Sequence, residues 1–285
     1  MRIARVFPTR TRMTPTDELV FTSFQPPQIG MPEADEVHIS VTFTWDLGKA
    51  EQMAEAWRVL GVPVKLGGPA FGKPGGDFVP GLYVKEGATI TSRGCPNNCP
   101  HCGVPAREGG LRELPILDGW NVLDDNLLAC SDAHVEAVFQ MLERQPYRAE
   151  FTGGLEAKLL QPWHARRMRE IMTKRMYFAY DEPPDLEPLM AAGKIMRQEG
   201  HKFSSHRMAC YVLCNFLPGD TIEKAEARVV ETIKAGFMPF PMVYRDYSGK
   251  REQAWKKWAH DWLQPEPQAM KVNEIIARER ITWEG

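Results

Sequence analysis

Cys95, Cys99 and Cys102 crowd into the segment TSRGCPNNCPHCGVP, residues 91–105, as a Cys-x-x-x-Cys-x-x-Cys arrangement. A loop this short can turn all three thiolates inward around one metal centre. In a reducing compartment, clustered thiols serve as metal ligands rather than as disulfide partners. The number three is informative. A structural tetrahedral zinc takes four ligands, whereas a four-iron cluster held by three cysteines keeps one iron open for another molecule. His101 offers zinc a fourth ligand, but its place directly before Cys102 makes joint chelation awkward. Two readings follow from the residues: a catalytic cluster, or a non-catalytic zinc module for nucleic-acid or protein binding. Cys130, Cys210 and Cys214 stand apart. They read as small buried apolar residues, with a second cluster or a radical- or sulfur-carrying thiol as the functional alternative.

The elements that must position these cysteines show in the periodicity. Before residue 80, VHISVTFT (37–44) is β-rich and Asp46 is placed to cap a helix carrying Met53, Trp57 and Leu60. Gly61 stops that helix and VPVKLGG starts another strand, which makes a small Rossmann-like βαβ region over residues 1–80. The N-terminal MRIARVF reads as a short buried strand. Gly67, Gly68, Gly72, Gly75 and Gly76, with Pro69 and Pro74, mark a linker that lacks the Gly-Lys-Ser/Thr of a phosphate loop. From 81 to 245 six strand-like runs alternate with helices: GATITS, NVLDD, RAEFTGG, MYFAYDE, MACYVLCNF and FMPFPMV. That rhythm predicts an α/β fold with a partial (β/α)6 barrel of parallel strands. Pro239 and Pro241 make the last strand an exposed edge. Residues 246–285 form a helical tail in which Trp255, Trp258 and Trp262 recur at helical spacing and read as a packed face. The alternative is a stacking platform with Lys250, Arg251, Lys256 and Lys257 reaching phosphates.

The cysteine spacing, Arg93-Gly94 before the first cysteine and the six β/α repeats together resemble the radical S-adenosylmethionine (SAM) superfamily. Residues 37–70 are similar to the domain that precedes the radical core in the cobalamin-binding-type branch, and the likeness extends over about residues 37–245. The resemblance implies a [4Fe-4S] cluster on Cys95, Cys99 and Cys102, with the amine and carboxylate of SAM chelating the fourth iron. It further implies reduction by a low-potential donor such as flavodoxin or ferredoxin, and a 5'-deoxyadenosyl radical that abstracts hydrogen from a substrate. Three departures qualify it. His101 stands where the family often has an aromatic residue near the adenine. NVLDDN stands on the second strand where a Gly-Gly-Glu would bind the SAM amine, and GGLEA (153–157) lies one strand later. No Asp-x-His-x-x-Gly is present in the N-terminal region, so no cobalamin is expected.

Polar residues at the carboxyl ends of the strands are the remaining candidates: Asp124, Asp125, Asn126, Glu156, Asp181, Glu182, Asn215, Tyr244 and Arg245. Asn126, Glu156 and Asn215, with His101, are the preferred cofactor contacts; Arg245 suits a carboxylate. Each also reads as a cap or turn residue, as Gly219-Asp220-Thr221 does. With Lys plus Arg at 35 against Asp plus Glu at 37, the chain is not built to coat nucleic acid. The basic run Arg166, Arg167, Arg169, Lys174 and Arg175 reads as a solvated face. No apolar run approaches the roughly 18 residues of a membrane span. The expectation is a cytoplasmic enzyme whose substrate the sequence does not name.

Overall fold

The computed structural model describes residues 1–203, 207–246, 248–250 and 252–283. Its first sheet is built from β1 (Ile3–Val6), β2 (Val20–Phe21), β3 (Glu36–Ser40) and β4 (Val64–Gly67), all parallel in the order β2-β1-β3-β4. α1 (Leu47–Trp57) connects β3 to β4 and buries Ala50, Met53, Ala54 and Trp57 against Ala4, Val6, Val37, Ile39 and Val41. The expected βαβ unit is therefore there, with the N-terminal strand inserted as its second central member. Asp46 does not cap α1. It belongs to a preceding 3-10 turn, Thr44–Asp46, and its side chain makes no cap hydrogen bond.

The second sheet has six parallel strands. β5 (Ala88–Thr89) is followed by the short antiparallel pair β6 (Ser92–Arg93) and β7 (Arg112–Glu113), which brackets the cysteine loop and α2 (Val104–Glu108). Then come β8 (Asn121–Val122), β9 (Glu150–Leu155), β10 (Arg175–Tyr180), β11 (Met208–Cys214) and β12 (Met238–Val243), in the order β12-β11-β10-β9-β8-β5. Spatial order equals chain order, and β5 and β12 stay unpaired with one another, so the sheet is a barrel left open along one side. The crossovers carry α3 (Asp132–Glu143), α4 (Pro162–Glu170), α5 (Leu186–Gln198) and α6 (Ile222–Ala235). Ser131 and Thr221 cap α3 and α6 by accepting from the backbone N–H of His134 and Lys224. Phe139, Met168, Leu189 and Met196 of these helices bury the outer face of the sheet, against Phe151, Phe178 and Cys210.

Pro239 and Pro241 do lie on an edge strand, opposite Cys210 and Val212. α7 (Gln253–Leu263) and α8 (Pro265–Glu279) pack beside it, and Gln268 donates to the Pro239 carbonyl at 2.7 Å. Trp255 and Trp262 are buried, and the indoles of Trp258 and Trp262 both donate to Glu226. These tryptophans pack the tail onto the barrel rather than forming an exposed platform. Arg251, assigned to that platform reading, lies outside the described residues. Among the described residues no helix is long and apolar enough to cross a membrane.

One buried ion pair sets the turn after β11. Arg228 of α6 reaches both carboxylate oxygens of Asp220, at 2.7 and 3.1 Å, and donates to the Leu213 carbonyl. Asp220 also accepts from the backbone N–H of Asn215 at 2.7 Å. Asp220→Ala would leave a buried guanidinium unpaired, and the expected loss is about 3–5 kcal/mol of folding free energy, measured by urea denaturation.

Candidate functional site

The strand leading into the cysteine loop is fixed by its neighbour. Asp124, two residues past β8 and 1% exposed, accepts hydrogen bonds from the Thr91 backbone N–H (2.6 Å), the Thr91 hydroxyl (2.6 Å) and the Ser92 hydroxyl (2.7 Å). Asp125 accepts from the Gly94 N–H at 2.9 Å. Asn126 then donates from Nδ2 to the Cys95 sulfur at 3.4 Å. Three consecutive residues thus hold the chain from Thr91 to the first cysteine in register. Gly94 is required here: its φ is +82°, and a Cβ would stand 2.3 Å from the Gly110 carbonyl oxygen. Gly153 of GGLEA is equally constrained, because a Cβ would meet the Asp124 carbonyl oxygen at 2.2 Å.

Glu156, just past β9, faces the same loop. It accepts from Asn126 Nδ2 at 2.6 Å and from Asn97 Nδ2 at 2.8 Å, and pairs with Lys158 at 2.7 Å. Asn126 is 4% exposed, and its Oδ1 is buried without a partner among the described residues. His101 turns toward the other side of the barrel mouth. Its Nε2 lies 3.3 Å from Asp181, and its ring meets Phe216 edge-on with centroids 5.3 Å apart. Phe216 in turn meets Tyr244 at 4.9 Å. The structure therefore gathers Cys95, Cys99, Cys102, His101, Asn126 and Glu156 at the carboxyl ends of the strands, where ligands of parallel α/β folds sit.

Asn215 follows the end of β11. It takes a left-handed backbone (φ 60°), a conformation asparagine tolerates, and its side chain makes no hydrogen bond among the described residues. Arg245 is stacked over Trp45, 4.9 Å from the ring. Cys130, Cys210 and Cys214 are buried, while the three motif cysteines are half-buried. Asn97 and Lys158 were missed in the sequence, where nothing distinguishes them from other polar loop residues.

No protein-family model matches the chain, and no curated protein matches it. Among solved structures it is similar to the radical S-adenosylmethionine methyltransferase TsrM from Kitasatospora setae, solved with cobalamin and a [4Fe-4S] cluster bound. The TM-score is 0.61 at 14% identity, over 85% of this chain and 74% of that one. The chain shares the fold of that structure, an open barrel of parallel strands.

Within that fold, the donor set suits a cluster. Burial, reinforced by Cys102, Asp181, Cys95 and Asp185, pushes the Cys99 thiol up to about 11, and burial also raises Cys102. A metal centre in the loop reverses that tendency, since coordination favours the thiolate. Among the described residues no three His, Cys, Asp or Glu side chains converge as they would on a single ion. Three cysteines in one short loop leave one iron of a four-iron cluster open, whereas a structural zinc takes four ligands. The unpartnered Oδ1 of Asn126 and the carboxylate of Glu156 are acceptors beside it, suited to an ammonium or to hydroxyl groups. The hydrogen bond from His101 to Asp181 raises the imidazole's pKa against the opposing effect of burial.

A cavity of about 730 Å³ opens on the far side of the cysteine strand, between the carboxyl ends of β1, β3 and β4 and the linker. Phe7, Ser40, Gly68, Phe78, Ile90 and Arg93 line it. Glu108, 1% exposed at its side chain, closes one wall by accepting from the Gly75 N–H and from Arg107 and Arg112. Both ring nitrogens of His38, the cavity's histidine, are engaged, by Tyr83 and Glu36.

The raised Cys99 pKa has a direct readout. In metal-free protein only about a thousandth of a thiol with that pKa is ionised at pH 8. Iodoacetamide labelling of Cys99, followed by peptide mass spectrometry, is expected to accelerate with pH up to about 11; a plateau below pH 9 contradicts this environment.

Proposed function

We propose that the chain is a radical SAM enzyme. The observation that carries this reading is the three-cysteine loop at the mouth of a partial barrel, with the Asn126–Glu156 acceptor pair at its side. Cys95, Cys99 and Cys102 would hold a [4Fe-4S] cluster, which supplies the electron that splits SAM into methionine and a 5'-deoxyadenosyl radical able to take hydrogen from a substrate. The residues around it bind, orient and shield. Glu156 and the free oxygen of Asn126 receive the methionyl ammonium, and the His101–Phe216–Tyr244 wall packs the adenosyl side and excludes water from the reacting carbon. A low-potential donor such as flavodoxin or ferredoxin completes the chemistry, which suits a reducing cytoplasm.

Anaerobic reconstitution is expected to give about four irons and four sulfides per chain, with 5'-deoxyadenosine formed on adding dithionite and SAM. Conversion of all three cysteines to alanine abolishes both. Stoichiometric zinc without iron–sulfur absorption overturns the reading in favour of a zinc module. Glu156→Ala is expected to weaken SAM binding tenfold or more while the cluster's absorption is retained, as read by equilibrium dialysis.

The cavity at the N-terminal sheet supports a second cofactor. It sits where parallel strands present ligands, and its volume accommodates a large group. Cobalamin, which the TsrM structure contains, is the first candidate, although the Asp-x-His-x-x-Gly pattern is absent and His38 is already engaged at both nitrogens. Incubation with hydroxocobalamin, removal of free ligand and a visible spectrum decide it. Retention near one per chain, lost when Gly76→Trp narrows the cavity at a position where a Cβ meets nothing within 4 Å, supports the reading; no retention leaves the chain without cobalamin.

A further inference from the structure

Asn126 has two amide hydrogens and spends both on the cysteine site. One goes to Glu156 at 2.6 Å and the other to the Cys95 sulfur at 3.4 Å. The orientation is forced by chemistry: a carboxylate at neutral pH only accepts, so the nitrogen and not the oxygen must face Glu156. The residue is 4% exposed and its backbone continues the Asp124–Asp125 clamp on Thr91, Ser92 and Gly94. Burial and the Glu156 bond hold the amide against the sulfur.

We propose that Asn126 sets the reduction potential of the cluster by donating this hydrogen bond to Cys95, an inference that rests on the cluster reading above. Adding an electron to an iron–sulfur cluster increases the negative charge on its sulfurs. An N–H aimed at one of them therefore stabilises the reduced form more than the oxidised form and raises the potential. The surroundings amplify the effect, because a hydrogen bond is stronger where water is excluded. Asn126 also makes the cluster responsive to whatever occupies Glu156. An ammonium that draws the carboxylate away loosens one of the two bonds that aim the amide. The segment NVLDDN, which replaces the expected Gly-Gly-Glu, would thus act on the cluster's electronics through the amide N–H of Asn126 as well as on SAM through its oxygen.

The test is an EPR-monitored redox titration of reconstituted protein without SAM, comparing the unmodified chain with Asn126→Leu. The expected result is a reproducible shift to more negative potential at equal iron and sulfide content, with Asn126→Gln moving it back toward the starting value. An unchanged or more positive potential in a fully loaded Asn126→Leu protein overturns the proposal. If that variant does not load, Asn126→Ala, which removes the donor with the smallest volume, is judged by the same criterion. Failure of both to load makes the residue one of assembly and overturns it too. Failure of the unmodified chain to take up any cluster instead defeats the reading of the site on which the proposal stands.

Discussion

A single buried carboxylate holds the functional end of this molecule together. Asp124 accepts two hydroxyls and a backbone N–H from Thr91 and Ser92, and in doing so pins the last residues of one strand to the end of the next. Burial raises its pKa, and the hydrogen bonds from Thr91 and Ser92 oppose that shift. A carboxylate this deep is tolerated only because its acceptor sites are matched by donors. The position of Cys95, and through it the shape of the whole cysteine loop, follows from that match. The Gly153 approach to the Asp124 backbone is the same constraint seen from the other side.

Glu108 plays the corresponding part between the two sheets. It lies at the end of the helix that follows the third cysteine, yet it receives the N–H of Gly75 from the linker as well as Arg107 and Arg112. One carboxylate among several guanidiniums is kept ionised by them: hydrogen bonds from Arg112 and Arg107 lower its pKa against the opposing effect of burial. The linker, rich in glycine and proline, gains a fixed point beside the cysteine loop. A ligand in the cavity at the N-terminal sheet would therefore lie against Arg107, which pairs with Glu108 behind the cysteine loop.

Most of the architecture was legible because it is written in local periodicity. Six β-rich runs separated by helical ones, with Thr221 at a helix end, dictate parallel strands and crossovers. The cysteine triad was legible because its spacing is a property of one short loop, and Asn126 and Glu156 because they end adjacent strands. What stayed hidden depends on partners far away in sequence. Asp46 lost its cap to a 3-10 turn. The left-handed backbone of Asn215 is set by its turn, and Arg245 found an aromatic face 200 residues earlier in the chain. No spacing rule announces that Asn97 and Lys158 converge on Glu156, since the loop geometry that joins them exists only once the clamp has formed.

The two prolines of β12 have the same parity, so the N–H groups they lack would both have pointed away from β11. An outside chain trying to extend the sheet there finds missing donors, and one of the carbonyls is already taken by Gln268. Closed barrels escape edge-to-edge polymerisation by having no rim at all. This chain escapes it chemically, and so can afford a permanent slot in its side without offering a template for aggregation.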